Sequence, residues 1–400
     1  MINPKTPWST SIEPSCGSSS PIENVNKPLL AEAKSQLIER LEKLYPAEII
    51  SKIILGYESN WQGFVQENGE NTKLYRQLHN IPGLKVYFDI QKGQLVADVA
   101  VGVIGRGSFK KAKKEHKILA DGSIQNAARN SRAEKDPYQE GAWRSPKIQE
   151  ELDIRERLGP ILHLLPFVHS GSYINKKGKQ KERYESPLCD GNLETLSDSI
   201  RTDPKMRIQS LHIFLDALSA LADMHAQGFI HRDFKPKNIF FKGDQGFLAD
   251  LGLATYSRDY SSVDCSSIGT KPYLPGGFSG DYDPQIIQPL GQPIIGQLIE
   301  MFSVGATLLD IYRQDLKDEF SNIQQDYWDD ISSGKEWADR IANLQDKLVK
   351  KPDGSEGSDL DKLIAQLIDP VSTKHPSSAE TKERLTDIIF REELALSAKL

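Results

Sequence analysis

The sequence predicts an α+β protein in two lobes, a small β-rich lobe followed by a mainly helical one, with a helical segment ahead of both. Three observations carry this. Apolar residues alternate with period two through Lys85–Phe88 and Leu95–Ile104, the spacing of half-buried strands. From Leu193 onward the apolar spacing is mostly helical, interrupted by a short β-rich stretch at Ile239–Ala249. No internal repeat is present, and strands first with helices after is the pattern of an α+β fold.

Residues 1–27 are rich in Ser, Pro, Thr and Asn and lack periodicity, so a flexible leader is expected there. Residues 28–95 form an N-terminal segment of unknown role, expected to be mostly helical from Leu29 to Gly83. Leu37, Leu41, Leu44, Ile49, Ile50, Ile53 and Ile54 set the period, Pro46 breaks it, and Asn80-Ile81-Pro82-Gly83 makes a turn. Residues 96–189 are assigned to the first lobe. Its strand-like pieces are Phe109–Ala112, Ile124–Arg129, His163–Ser172 and Arg183–Cys189, and its one amphipathic helix is Lys147–Leu158. Residues 190–400 form the second lobe, with helices expected at Ser210–Gln227, Ile295–Arg313, Ser358–Ile368 and Ala379–Glu393.

Composition removes several functional classes. The net charge is −6, so the basic footprint of a nucleic-acid binder is absent and no nucleic-acid partner is expected. Cys16, Cys189 and Cys265 are odd in number and lack CxxC spacing, which argues against a disulfide framework or zinc site. The most apolar windows, His212–His225 and Ile294–Tyr312, are broken by Asp216, Asp223 or Glu300, so no membrane span is expected. The N-terminus has no basic start followed by an apolar core, and no Sec-type signal peptide is expected. A cytoplasmic chain is the expectation.

The chemistry concentrates in His231-Arg232-Asp233-Phe234-Lys235-Pro236-Lys237-Asn238, followed twelve residues after Asn238 by Asp250-Leu251-Gly252. With these residues the chain resembles the protein kinase family, of Ser/Thr type, whose catalytic loop reads HRDxKxxN and whose metal-binding motif reads DFG. The resemblance implies a bilobal protein-kinase-like fold and phosphoryl transfer from ATP with Mg2+ to hydroxyls of a protein substrate. It implies Asp233 as catalytic base, Lys235 beside the transferring phosphoryl group, and Asn238 and Asp250 as metal ligands. Carboxylate and amide are the hard oxygen donors that magnesium prefers.

Upstream, Val101–Ala112 resembles the family's glycine-rich loop, with Gly105 and Gly107 allowing the backbone close to the phosphates and Phe109 capping the tip; Lys110 takes the place of the third glycine. The family's third-strand lysine aligns with Arg129 in Asn126-Ala127-Ala128-Arg129, and Glu151 in Glu151-Leu152-Asp153-Ile154 aligns with its helical ion-pair partner. A guanidinium keeps the charge but not the geometry of an ammonium; Arg132 or Lys135 could serve instead, or Arg129 could face solvent. Pro187–Leu193 resembles the inter-lobe hinge, with Leu188 and Cys189 along the adenine edge and Cys189 as wall rather than nucleophile.

Leu253–Gly269 resembles an activation segment rich in hydroxyls, where Arg232 could pair with a phosphate on Ser266 or Ser267. Gly269-Thr270-Lys271-Pro272-Tyr273 resembles the start of the substrate-docking stretch GTxxYxxPE, in which Thr270 would bond Asp233 and Lys235. The family's buried Glu there aligns with Gly277, and its Arg partner with His375, so both halves of one ion pair are absent together. Glu300-Met301-Phe302-Ser303-Val304-Gly305 resembles the family's DxWSxG helix. The alternative to an active kinase is a pseudokinase acting as a protein-binding scaffold, favoured by Arg129, Lys110 and Gly277. The Ser/Pro-rich start also resembles leaders of bacterial proteins exported into host cells, an alternative to the cytoplasmic location. Oligomeric state is not legible.

Overall fold

The computed structural model describes residues 74–77, 84–91, 94–106, 110–118, 124–132, 146–174, 180–256, 269–276, 292–329, 331–351, 353–371 and 374–398, together with Glu39, Glu42 and Ala47. The chain divides into two compact units, one of Met1–Gly102, Lys113–Asn126 and His169–Arg183, the other of Val103–Ala112, Ala127–Val168 and Tyr184–Leu400. The expected leader and most of the expected N-terminal helices lie outside the described residues.

In the first unit, β1 (Leu74–Gln77) pairs antiparallel with β2 (Leu84–Gln91), which pairs antiparallel with β3 (Gln94–Arg106) in the register Val86↔Val99 and Phe88↔Ala97. β1 also runs parallel to β6 (Val168–Ile174). β1 therefore lies inside the segment expected to be helical. Its four residues, Leu-Tyr-Arg-Gln, are too few for a period to show, and pairing with β2 decides their conformation. β4 (Lys110–Ile118) and β5 (Ile124–Arg132) follow β3 in the chain.

In the second unit, β5 pairs antiparallel with β7 (Gln180–Pro187), setting Ala127 opposite Pro187 and Arg129 opposite Glu185. Helix α1 (Pro146–Leu158) turns Leu158 and Ile154 into the core and ends at Gly159, whose φ of 64° suits the C-terminal position. β8 (Gly191–Asn192), β10 (Ile239–Lys242) and β11 (Gln245–Leu248) form one small sheet, and β9 (Phe229–Ile230) and β12 (Thr255–Tyr256) another. The helices are α2 (Ser197–Thr202), α3 (Pro204–Ala226), α4 (Gln292–Tyr312), α5 (Gln314–Trp328), α6 (Gly334–Val349), α7 (Asp359–Leu367) and α8 (Ser378–Ser397).

α3 and α4 are the centre of the fold. Leu211, Phe214, Leu218 and Leu221 of α3 and Met301, Phe302, Val304, Leu308 and Leu309 of α4 are fully buried, the pattern of helices covered on most sides. Asp203 caps α3 by accepting from the Lys205 N–H at 2.8 Å, with Pro204 at its first position. α6, α7 and α8 each begin with a capping box, Ser333 with Glu336, Ser358 with Asp361 and Ser377 with Glu380. Among the described residues no helix is long and apolar enough to cross a membrane.

Candidate active site

The site is built on the loop between β9 and β10. Phe234, fully buried, packs edge-on against Phe214 of α3 at 5.6 Å, and its carbonyl accepts from the Thr307 hydroxyl of α4 at 3.3 Å. With Phe234 wedged inward, its neighbours Asp233 and Lys235 are turned outward, with side chains 11% and 16% exposed. Pro236 then opens a short 3-10 turn, Pro236–Asn238, that brings Asn238 back toward Asp233.

Four side chains converge. Lys235 Nζ lies 3.0 and 2.8 Å from the two Asp233 carboxylate oxygens, and donates to Thr270 Oγ1 at 2.6 Å. The Thr270 hydroxyl donates to Asp233 Oδ1 at 2.6 Å. Asn238 Nδ2 donates to the Asp233 carbonyl at 2.8 Å and to its Oδ2 at 2.9 Å. Both Asn238 amide hydrogens are thereby engaged and its Oδ1 is turned to the other side. Thr270 is delivered by Gly269, whose φ of 144° and approach to the Arg232 carbonyl (2.7 Å from an added Cβ) exclude a side chain.

Asp250 stands in the left-handed region at φ 68°, ψ 71°, ahead of the 3-10 turn Leu251–Leu253; Asp and Asn are the non-glycine residues that accept this conformation most readily. The loop and this turn are tied by the Ala249 N–H to the Asn238 carbonyl at 2.9 Å and by His231 Nε2 to the Ala249 carbonyl at 2.9 Å. Leu251 is fully buried.

Beneath lies a buried carboxylate whose part the sequence did not announce. Glu300 of α4, 4% exposed, accepts from the backbone N–H of His231 at 2.9 Å and of Arg232 at 2.6 Å, and from His225 Nε2 at 2.8 Å. The other His225 nitrogen lies 3.0 Å from the Ser378 hydroxyl. These bonds hold Arg232 at φ 65°. Burial acts to raise the Glu300 pKa, but the hydrogen bond and charge of His225, then His231, outweigh it and hold the carboxyl below its ordinary value. The Arg232 side chain donates through Nε to the Leu253 carbonyl.

Glu151, 1% exposed, pairs at 3.1 Å with Arg155 on its own helix; Arg155 also donates to the Leu165 carbonyl at 2.8 Å and lies over the Phe167 ring. The expected pairing of Glu151 with Arg129 depends on a side chain outside the described residues, as do Gly107, Phe109, Ser266, Ser267 and Gly277; Gly105 lies in β3. Over Pro187–Asp190, Pro187 has no N–H and the Asp190 N–H is given to the Phe241 carbonyl at 2.8 Å, so the other backbone donors of these four residues belong to Leu188 and Cys189. Burial pushes the Cys189 thiol up to about 12, against a smaller lowering by Lys242, which suits a wall residue.

Sequence reasoning also missed Gln324 and Trp337. Gln324, fully buried on α5, donates through Nε2 to the carbonyls of Pro272 and Leu274, both at 3.1 Å, and accepts from Trp337 Nε1 at 2.9 Å. Gly276 lies on the Trp337 ring so closely that an added Cβ would stand 2.8 Å from it. The stretch after Thr270 is thus fixed from α5 and α6. Their signals were present: Leu316, Phe320, Ile323 and Tyr327 in one helix, and Ser333-x-x-Glu336 ahead of Trp337, Ile341, Leu344 and Leu348 in the next.

Comparison with known proteins agrees with this architecture. The family model for the protein kinase domain matches residues 102–385. The chain belongs to the protein kinase family, with the family's α+β fold. It is 23% identical over 229 residues, 51% of the chain and 15% of the other protein, to a probable serine/threonine-protein kinase irlC of Dictyostelium discoideum. It is 28% identical over 203 residues, 50% of the chain and 26% of the other, to a membrane-associated tyrosine- and threonine-specific cdc2-inhibitory kinase wee-1.3 of Caenorhabditis briggsae. It is 27% identical over 258 residues, 58% of the chain and 78% of the other, to cell division control protein 2 homolog C of Antirrhinum majus. The first two matches span only 15% and 26% of those relatives' own length.

Proposed function

We propose that the chain transfers the γ-phosphoryl group of ATP to Ser/Thr hydroxyls of protein substrates. The observation that carries this is the Asp233 carboxylate, held by Lys235, Thr270 and Asn238 at 2.6–3.0 Å while still partly open to solvent. In this reading the substrate hydroxyl oxygen attacks the γ-phosphorus, its proton passes to Asp233, and ADP leaves. Positioned general bases of this kind contribute about 10²–10⁴-fold. Lys235 keeps the carboxylate oriented and supplies positive charge beside the transferring group.

Asn238 and Asp250 are the residues that would hold Mg2+. The donor set fits: with both Asn238 amide hydrogens on Asp233 its Oδ1 is the free end of the amide, and Asp250 adds a carboxylate, both hard oxygens. The bound ion supplies charge neutralisation at the phosphates. The Leu188 and Cys189 N–H groups and Ala127 and Ala128, both buried, are assigned to the adenine side.

Lys235, two residues after Asp233, favours Ser/Thr acceptors, whereas one relative is by name tyrosine- and threonine-specific. The test is radiolabelled ATP with generic basic protein substrates, wild type against Asp233→Asn, followed by phosphoamino-acid analysis. Loss of transfer in the variant and label on Ser or Thr are expected. Wild-type activity in Asp233→Asn would remove the catalytic assignment; a wild type without transfer that still binds partners would favour the scaffold, for which Arg129 in the lysine position is the supporting feature.

A further inference from the structure

The match to the family model starts at residue 102, yet the sheet of the first unit starts earlier in the chain. β2 and β3 are separated by two residues and pair from Gln91↔Gln94 back to Leu84↔Val101. Apolar residues meet at every second position of this register: Ile90↔Leu95, Phe88↔Ala97, Val86↔Val99 and Leu84↔Val101. The positions between them pair Lys85↔Ala100, Tyr87↔Asp98 and Asp89↔Val96. A slip of one residue would set the apolar positions of each strand against the mixed positions of the other, so the alternation specifies this register.

β2 is an inner strand. At Phe88 it has Arg76 of β1 on one side and Ala97 of β3 on the other. β1 continues the sheet to β6 through Leu74↔Ser172, Tyr75↔Tyr173 and Arg76↔Ile174, and β3 has β4 on its far side. Without β1 and β2, both β3 and β6 would present a row of unpaired backbone N–H and C=O groups along an edge. The consequence lies at the end of β3. That strand runs without interruption from the stretch paired with β2 to Gly105, the residue that the family resemblance sets against the phosphates. Sites carried on paired strands are held more precisely than sites on loops.

We infer that residues 74–91, which precede the family-matched segment, are a positioning element for nucleotide binding. β1 and β2 hold β3, and through it the backbone at Gly105. The inference rests on the proposed reading that the chain uses ATP, and it gives part of the segment 28–95 a role that no motif announced.

The experiment uses the full chain. Hydrogen exchange read by mass spectrometry should show the amides of residues 84–91 and 95–101 protected in wild type, as paired strands require. Phe88→Pro removes a ladder bond whichever neighbouring strand the N–H faces. Protection should then fall over both stretches while α3 and α4 keep theirs. Affinity for ATP with Mg2+, read by isothermal titration, should weaken about tenfold or more through lost positioning. Phe88→Ile keeps the N–H and the strand preference and should stay within about twofold of wild type. Residues 84–91 exchanging like an unfolded chain in wild type, or wild-type affinity in Phe88→Pro, overturns the inference and leaves the proposed reaction standing. Equal weakening in both variants overturns it too, since the effect would then belong to the side chain. So does loss of protection in α3 and α4, which would make the effect general unfolding. A wild type that binds no nucleotide overturns the proposed reaction and this inference with it.

Discussion

Replacing Gln324 with leucine separates the stretch after Thr270 from its anchor without touching any residue near Asp233. The amide makes three bonds, to the Pro272 and Leu274 carbonyls and from Trp337 Nε1. Pro272 is exposed and its carbonyl can turn to water, whereas Leu274 and Trp337 are buried. Two buried groups therefore lose their partner, each at about 1–3 kcal/mol. A loss of about 2–4 kcal/mol is expected, because neighbours relax and such terms do not add fully. At about 2–4 °C per kcal/mol for a domain of 150–250 residues, the thermal midpoint should fall by roughly 5–15 °C. The kinetic consequence should be selective: KM for a peptide substrate rises several-fold and KM for ATP stays unchanged. Differential scanning fluorimetry and initial rates at two temperatures well below the midpoint give both numbers. A midpoint within about 2 °C of wild type, or equal rises in both KM values, would refute the clamp.

Three further outcomes are expected. Arg129→Ala should cut turnover tenfold or more through lost phosphate orientation, with Arg129→Lys retaining it; a silent Arg129→Ala beside a damaging Arg132→Ala or Lys135→Ala would move the third-strand cation. Mass spectrometry after incubation with ATP should find phosphate on Ser266 or Ser267, with the double alanine variant losing most activity; an unmodified loop in fully active enzyme removes that switch and leaves the rest standing. Glu300 predicts an acid limb. Its folded pKa lies below the ordinary 4.5, so its contribution to stability is complete above that value and is lost as pH falls through the folded pKa. Urea midpoints between pH 3 and 6 should fall more steeply for wild type than for Glu300→Gln, and parallel curves would contradict the assignment.

What the sequence made legible follows from how many residues each feature needs. The loop His231–Asn238 and the Asp250 motif are contiguous runs, so their resemblance to the family's motifs located Asp233, Lys235, Asn238 and Asp250. Thr270 is distant in sequence from Asp233 and was reached only through the family resemblance, yet its hydroxyl lies 2.6 Å from that carboxylate. Glu300, His225 and Ser378 meet across three helices, and no periodicity reports on a meeting of that kind. Gln324 reads in sequence as a polar residue of an amphipathic helix, and only tertiary packing shows its amide buried. β1, four residues long, was lost for a different reason: its conformation is set by the strand beside it rather than by its own composition.

The absence of the family's buried Glu–Arg pair has a physical counterpart. A guanidinium left alone in that interior would cost several kcal/mol. At the Arg position stands His375, 5% exposed, with ring nitrogens 2.7 Å from the Leu298 carbonyl and 2.8 Å from the Asp369 carbonyl. Burial pulls its pKa below the ordinary value against the pull of those two carbonyls; a neutral ring has one N–H and donates to one of them, and only the protonated ring donates to both. The stretch that the missing carboxylate would have anchored is held instead by a neutral amide, Gln324, and by Gly276 lying flat on Trp337. Neutral donors carry a smaller desolvation cost than paired charges. An anchor made of them needs close packing, which is why the position over Trp337 admits no side chain. Gly276→Ala should therefore lower the thermal midpoint, since its Cβ would stand 2.8 Å from the Trp337 ring, and an unchanged midpoint in scanning fluorimetry would contradict the packing.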